Sequence, residues 1–185
     1  MITIVTRTMK GREIRLKQMI DSLKSQTSNN YQHLILNDNI GLGMLEANKS
    51  FFNNKEKVKG DYIHLLDDDD FYCSSDFIKD ISDIAYYNEP DVIIFKMIIK
   101  IPNAPIGYDF VFPKCWNKSP ERAKIGGSCF VVSNRIYQKY IHHFGVYPMG
   151  DFNFINEVWK EPNLKVIWQD KIYCETGIVS RGKIL

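Results

Sequence analysis

Short apolar runs alternate along this chain with segments whose apolar positions recur every three to four residues. Residues 2–5 form a β-branched run that predicts a buried strand. In residues 12–26, Leu16, Met19, Ile20 and Leu23 fall at i, i+3, i+4 and i+7, one face of a helix. A second apolar run, 33–36, ends in Asn37-Asp38-Asn39. The loop Gly41-Leu42-Gly43 then precedes a helical pattern carrying Leu45, Phe51 and Phe52. After the turn Lys59-Gly60-Asp61 comes a third run, 62–66. Ser74, Ser75 and Asp76 are suited to cap a helix whose apolar positions are Phe77, Ile78, Ile81, Ile84 and Ala85, and residues 91–101 read as a further strand.

This alternation predicts an α/β fold, Rossmann-like, with a mostly parallel central sheet and helices on both faces. In such sheets ligands sit beyond the carboxyl ends of the strands. The first three strands end in Thr6-Arg7-Thr8, Asn37-Asp38-Asn39 and Asp67-Asp68-Asp69-Asp70, so these polar ends are expected to share one edge. The second half is less regular. Residues 102–124 read as loops and short strands, 129–132 as an apolar strand after Gly126-Gly127-Ser128, and 134–144 as a helix. Another helix is expected after Gly150-Asp151, with Phe154, Ile155, Val158 and Trp159 toward the core, followed by a strand at 164–168 and a polar tail from 176. No repeat or low-complexity segment interrupts the pattern, and 185 residues suit a single domain.

Composition narrows the function more than the fold. A net charge of +2, with no basic stripe, argues against nucleic acid as partner. Cys73, Cys115, Cys129 and Cys174 are widely spaced without a CxxC pair, which disfavours a zinc or redox motif and suits free thiols in a reducing compartment. No apolar run has the length of a signal peptide core or a membrane span, so a cytoplasmic protein without a transmembrane segment is the expectation.

The four consecutive aspartates carry the strongest chemical signal. Like charges repel, and burial of an unpaired carboxylate is costly. If the strand continues through the run, Asp67 and Asp69 share one side and Asp68 and Asp70 the other. Gathered carboxylates suit a hard divalent cation, Mg2+ or Mn2+, which takes its remaining ligands from water and substrate phosphates. A solvated or helix-capping loop is the plainer alternative. Asp70 is expected to turn away and bond its local backbone. Asp38 suits a nucleoside contact at the end of the second strand, or a turn. Asp151 suits a general base, or a helix N-cap. His142 and His143 lie on an expected helix without a metal-ligand partner at i+4.

Taken in order, the segments 2–8 (ITIVTRT), 22–27 (SLKSQT), 34–39 (LILNDN), 59–72 (KGDYIHLLDDDDFY), 126–137 (GGSCFVVSNRIY) and 150–155 (GDFNFI) resemble the GT-A-fold glycosyltransferases of family 2. The resemblance implies an inverting, metal-dependent transfer from a nucleotide-sugar, most readily a UDP-sugar, to a hydroxyl of a glycan, lipid-linked or protein acceptor. Residues 1–100 would be the nucleotide-binding half, and 101–185 the acceptor-side half and tail. Thr6 and Asp38 match positions that contact the base, with Arg7 and Thr8 beside them. Asp67 to Asp69 match the DXD segment, with Asp69 the principal metal ligand and Asp67 or Asp68 holding ribose or metal-bound water. Asp151 matches the general base, and Gly127 and Ser128 the lining of the donor-sugar and acceptor cleft.

This chain departs from that pattern at two places. Many relatives carry an Arg-Asn pair where this sequence reads Ala47-Asn48, and Arg7 is the candidate substitute. A histidine near the carboxyl end often completes the metal shell, but none lies beyond His143; Arg181 and Lys183 are the candidate counter-charges for a diphosphate. A nucleotidyltransferase is one rival reading, weakened because the basic segment 9–13 holds a single glycine. A non-catalytic nucleotide- or sugar-binding module is the other.

Overall fold

In the computed structural model, which describes residues 1–41, 43–100, 110–146 and 149–176, the first β-branched segment forms β1 (Ile2–Met9), buried continuously from Ile2 to Thr6. Helix α1 (Glu13–Lys24) turns Met19 and Leu23 into the core, and β2 (Tyr31–Asp38) returns parallel to β1. Next come α2 (Met44–Asn53), β3 (Tyr62–Leu65), β4 (Asp70–Tyr72), α3 (Phe77–Asn88) and β5 (Val92–Ile99). The second half supplies β6 (Phe110–Phe112), β7 (Phe130–Ser133), α4 (Asn134–Tyr140), α5 (Gly150–Val158) and β8 (Val166–Thr176).

All strands belong to one sheet in the order β2-β1-β3-β7-β5-β8-β4, with β6 paired to β5. Strands β1, β2, β3, β5 and β8 share one direction, while β4, β6 and β7 oppose it. The fold is therefore mixed α/β with a mostly parallel sheet, as expected, but β7 is inserted antiparallel between β3 and β5. Phe130, Val131 and Val132 are all buried there, and an apolar run of this kind does not encode its direction. The expected strand at 164–168 is longer, and its pairing with β5 slips at Phe95/Lys96 and Lys96/Met97.

The segment after β3 differs from the expectation in a way that matters. The strand stops at Leu65, and the chain turns so that the Asp70 amide donates to the Asp67 carbonyl at 3.1 Å. Strand alternation therefore does not sort the four aspartates. Asp70 begins β4, which pairs antiparallel with β8.

Two long-range links hold this turn against the core. Gln26 of the SQT segment accepts from the Ile78 amide at 3.1 Å and donates to the Ser74 carbonyl at 2.8 Å, so α3 is capped from the segment that follows α1 rather than by the side chain of Asp76. His64 on β3 is fully buried among Tyr72, Phe77 and Phe95, with Nδ1 2.8 Å from the Tyr72 hydroxyl. Burial pushes its imidazole down to about 3, so it is neutral in the folded protein. Among the described residues no helix is long and apolar enough to cross a membrane. The four cysteines are free, and only Cys73 is exposed.

Candidate active site

Parallel register brings the polar strand ends together. Val5 pairs with Leu65, and the Leu66 amide donates to the Val5 carbonyl, so the aspartate turn begins beside Thr6-Arg7-Thr8. Met9 pairs with Asp38, which puts the end of β2 on the same edge. Thr8, Met9, Lys10, Glu13, Asn37 and Asn39 line a cleft between the ends of β1 and β2.

Each aspartate meets a different fate. Asp67 accepts two hydrogen bonds from Arg7, Nε to Oδ1 at 2.6 Å and Nη2 to Oδ2 at 2.9 Å. Burial works against both charges, but each partner outweighs it, so Arg7 is raised and Asp67 held below the usual carboxylate range. Asp68 is wholly buried: Oδ2 accepts from the Thr8 hydroxyl at 2.7 Å, and Oδ1 lies 2.9 Å from Arg12 Nη1 without any hydrogen bond. Burial pushes this carboxyl up to about 6, against the pull of Thr8 and Arg12. Asp69 contacts Arg12 at 2.7 Å and Arg15 at 3.7 Å, both through Oδ2. Asp70 is buried and accepts from the Ser128 hydroxyl, not from local backbone as expected. Its pKa rises well above the usual range through burial and then the charge of Asp67, against the pull of the Ser128 hydroxyl.

Gly150 starts α5 against Phe144. A Cβ there would lie 2.3 Å from the Phe144 carbonyl oxygen and 2.8 Å from Asn48 Nδ2, so only glycine allows this approach. That contact sets Asp151 in the first turn of α5, where it accepts from the Phe152 amide at 2.8 Å. Met149, not Asp151, occupies the N-cap. Burial raises the Asp151 pKa; the Phe152 amide and Arg7 lower it, and Asp67 adds to the rise. Gly127 packs beside it, with its Cβ direction 3.8 Å from Asp151 Cβ.

The other expected site residues are distributed differently. Thr6 is fully buried, its hydroxyl 3.1 Å from His33 Nε2 and facing Met19, so it lies behind the cleft rather than in it. Asp38 Oδ1 accepts from the Ile40 and Gly41 amides at 3.0 and 2.8 Å, the turn chemistry weighed for it. Arg7 does not reach outward: its guanidinium lies over the Phe51 and Phe144 rings and donates to Asn48 as well as Asp67. Ser128 serves Asp70 rather than facing a cleft. Arg181, like Lys183, lies outside the described residues.

Arg12 and Arg15 escaped the sequence reading. Their spacing of three residues at the start of α1 is the signal that places both on one face. For a divalent cation the donor chemistry of the turn fits. Among the described residues no three His, Cys, Asp or Glu side chains are arranged to hold a metal, but Mg2+ commonly uses one or two protein carboxylates. Asp69, engaged only through Oδ2 in its arginine contacts, meets that need.

No protein-family model matches the sequence, and no curated protein matches it. Solved structures share the fold. TarS 1-349 of S. aureus in complex with UDP-GlcNAc aligns over 98% of this chain with a TM-score of 0.69 and 13% identity. This chain covers 59% of that one. A glycosyltransferase involved in the glycosylation of the major capsid of PBCV-1 aligns over 97% of this chain and 94% of its own, with a TM-score of 0.56 and 12% identity. A197 from STIV aligns over 91% of this chain and 81% of its own, at 0.55 and 16%. At these identities the likeness is one of fold.

Proposed function

We propose that this chain is a glycosyltransferase that moves a sugar from a nucleotide-sugar, a UDP-sugar first among them, to an acceptor hydroxyl with inversion, using Mn2+ or Mg2+. The observation that carries this reading is the pairing of two acidic centres. Arg7 links them in space: it is bonded to Asp67 of the turn and to Asn48, and Asn48 abuts Gly150, the residue before Asp151 in the first turn of α5. The fold is one that a UDP-GlcNAc complex of TarS and a capsid glycosyltransferase also have.

In this reading Asp151 is the general base. Its burial-raised pKa suits proton acceptance from a sugar hydroxyl, because a base works best when its pKa lies nearer the working pH. Attack on the face opposite the leaving group inverts the anomeric centre, the two-sided arrangement of inverting glycoside hydrolysis. Asp69 would hold the cation, with Asp67 the second carboxylate, and the bound cation would neutralise charge on the departing diphosphate. Arg7, fixed by Phe51, Phe144 and Asn48, keeps Asp67 ionised and oriented.

Thermal unfolding with Mn2+ and each of UDP, GDP, CDP and ATP tests the donor class. UDP should raise the melting temperature most, and no shift with any of them would sink the reading. Slow hydrolysis of a UDP-sugar, lost in Asp69→Asn, separates an enzyme from a binding module.

A further inference from the structure

The acidic turn already has cationic partners. Arg7 is bonded at two points to Asp67, Arg12 bridges Asp68 at 2.9 Å and Asp69 at 2.7 Å, and Arg15 stands 3.7 Å from Asp69. Three guanidiniums thus face three carboxylates, and an arginine side chain stays protonated throughout the accessible pH range. These partners are not equivalent. Arg7 is wedged between the Phe51 and Phe144 rings and bonded to Asn48, so it has nowhere to turn. Arg12 precedes α1 and is partly exposed, and among the described residues its ion pairs are with this turn alone.

A divalent cation arriving by itself meets a neutralised cluster and must compete with Arg12 for Asp69. It would leave a guanidinium without its anion at a half-buried position, which is costly. A cation arriving with a nucleoside diphosphate brings the anion that the displaced guanidinium needs. Fork-shaped guanidinium pairs well with phosphate oxygens. Asp68 stays behind: its side chain is completely buried and tied to Thr8, and its Oδ1 keeps the ion pair to Arg12 Nη1, so the end of the fork that exchanges is Nη2, which holds Asp69.

We propose that Arg12 is an exchangeable counter-ion, held by Asp68 and Asp69 in the donor-free protein and turned to the diphosphate when a divalent cation takes Asp69. Cation and nucleoside diphosphate then bind as a coupled pair, and neither binds well without the other. The inference rests on the donor-binding reading above and names the residue that makes the site respond to the loaded donor rather than to free metal.

The test measures Mn2+ binding by electron paramagnetic resonance, without nucleotide, and UDP binding by calorimetry at saturating Mn2+. It compares the wild-type chain with Arg12→Gln, with folding verified by circular dichroism. Removal of the competing cation should tighten binding of Mn2+ alone by about tenfold, and loss of the phosphate partner should weaken UDP by about tenfold. Opposite signs are the signature. If both affinities fall together, Arg12 is only a structural support and the proposal is overturned; if neither changes, it is also overturned. Should Arg12→Gln fail to fold, Arg12→Lys, which keeps the charge but loses the two-point fork, must give the same opposed signs in smaller degree. If the wild-type chain binds Mn2+ but none of UDP, GDP or CDP, the donor reading itself fails, an outcome distinct from nucleotide binding that Arg12 does not influence.

Discussion

Arg7 and Asp67 form a two-point ion pair, 2.6 Å and 2.9 Å, that joins the end of β1 to the turn after β3. The guanidinium is enclosed by two aromatic rings and Asn48, whereas the Asp67 side chain keeps 38% exposure. Removal of Arg7 strands a partly buried carboxylate, and solvent screening tempers the loss. Arg7→Ala should therefore lower stability by about 1–3 kcal/mol in urea titration. Arg7→Lys should recover less than half of that, because an ammonium cannot reproduce the fork. Full recovery by lysine would show that charge alone matters.

Neighbouring aspartates should respond in opposite ways to the same substitution. Burial pushes the Asp70 carboxyl well above the usual range, and an amide oxygen can still accept from Ser128, so Asp70→Asn should cost less than about 1 kcal/mol. Asp67 is held ionised by Arg7, so Asp67→Asn should cost clearly more. Denaturant midpoints of the two variants at pH 7 check the ranking. Equal midpoints would mean that Asp70 carries charge too.

Asp151→Asn should reduce sugar transfer by about 100- to 10,000-fold, the range expected for loss of a general base, with UDP affinity in the presence of Mn2+ preserved. Calorimetry beside initial-rate assays separates the two effects. A parallel loss of UDP binding would make Asp151 a support for the donor site instead.

Gly150→Ala tests how α5 delivers that carboxylate. The added methyl would meet the Phe144 carbonyl at 2.3 Å, a contact that backbone must relieve. The variant should be destabilised by about 1–3 kcal/mol and should lose transfer activity as α5 shifts. A wild-type melting curve with wild-type rate would contradict the close packing of Gly150 against Phe144.

His64 gives the protein an acid-sensitive core. Its pKa falls to about 3 on folding, from an ordinary value near 6.5, because the ring is buried. The unfolded chain therefore binds a proton that the folded chain refuses, and stability drops as pH falls from about 6.5 toward 3. His33, lowered to about 4 by burial, adds to the same trend over a narrower window. Asp68, raised to about 6, acts in the opposite sense by losing stability as pH rises through that value. Comparison with His64→Gln isolates the histidine: between pH 6 and 4 the wild-type chain should lose about 1.4 kcal/mol per pH unit more than the variant. Parallel curves would mean that His64 is protonated in the folded protein.

Much of the fold was legible because the periodicities are strong. Leu16, Met19, Ile20 and Leu23 marked α1, and the apolar runs marked β1, β3 and β5 with errors confined to their ends. The antiparallel β7 and the short β4 were not legible, since neither direction nor a three-residue pairing leaves a period to count. At the site, the convergence of Arg7, Thr8 and Asp67–Asp68 followed from strand order. Where the Thr6 hydroxyl points was not legible, because a residue at a strand end can face either the edge or the neighbouring layer, and it faces Met19 and His33. Arg12 and Arg15 were overlooked because basic residues at a helix start are ordinarily solvated.

By itself the sequence determined that apolar strands would end in polar groups at one edge of an α/β sheet, since burial must be periodic and carboxylates avoid the core. Only the tertiary structure decided what each carboxylate is. Identical side chains at 67, 68, 69 and 70 become an ion-paired anion, a buried acid titrating near 6, an arginine-shared carboxylate and a buried acceptor from Ser128 with its pKa pushed up. Charge state depends on desolvation and on the few groups within reach, and Arg7, Arg12 and Ser128 come within reach only when β1, α1 and the segment before β7 are packed around the turn.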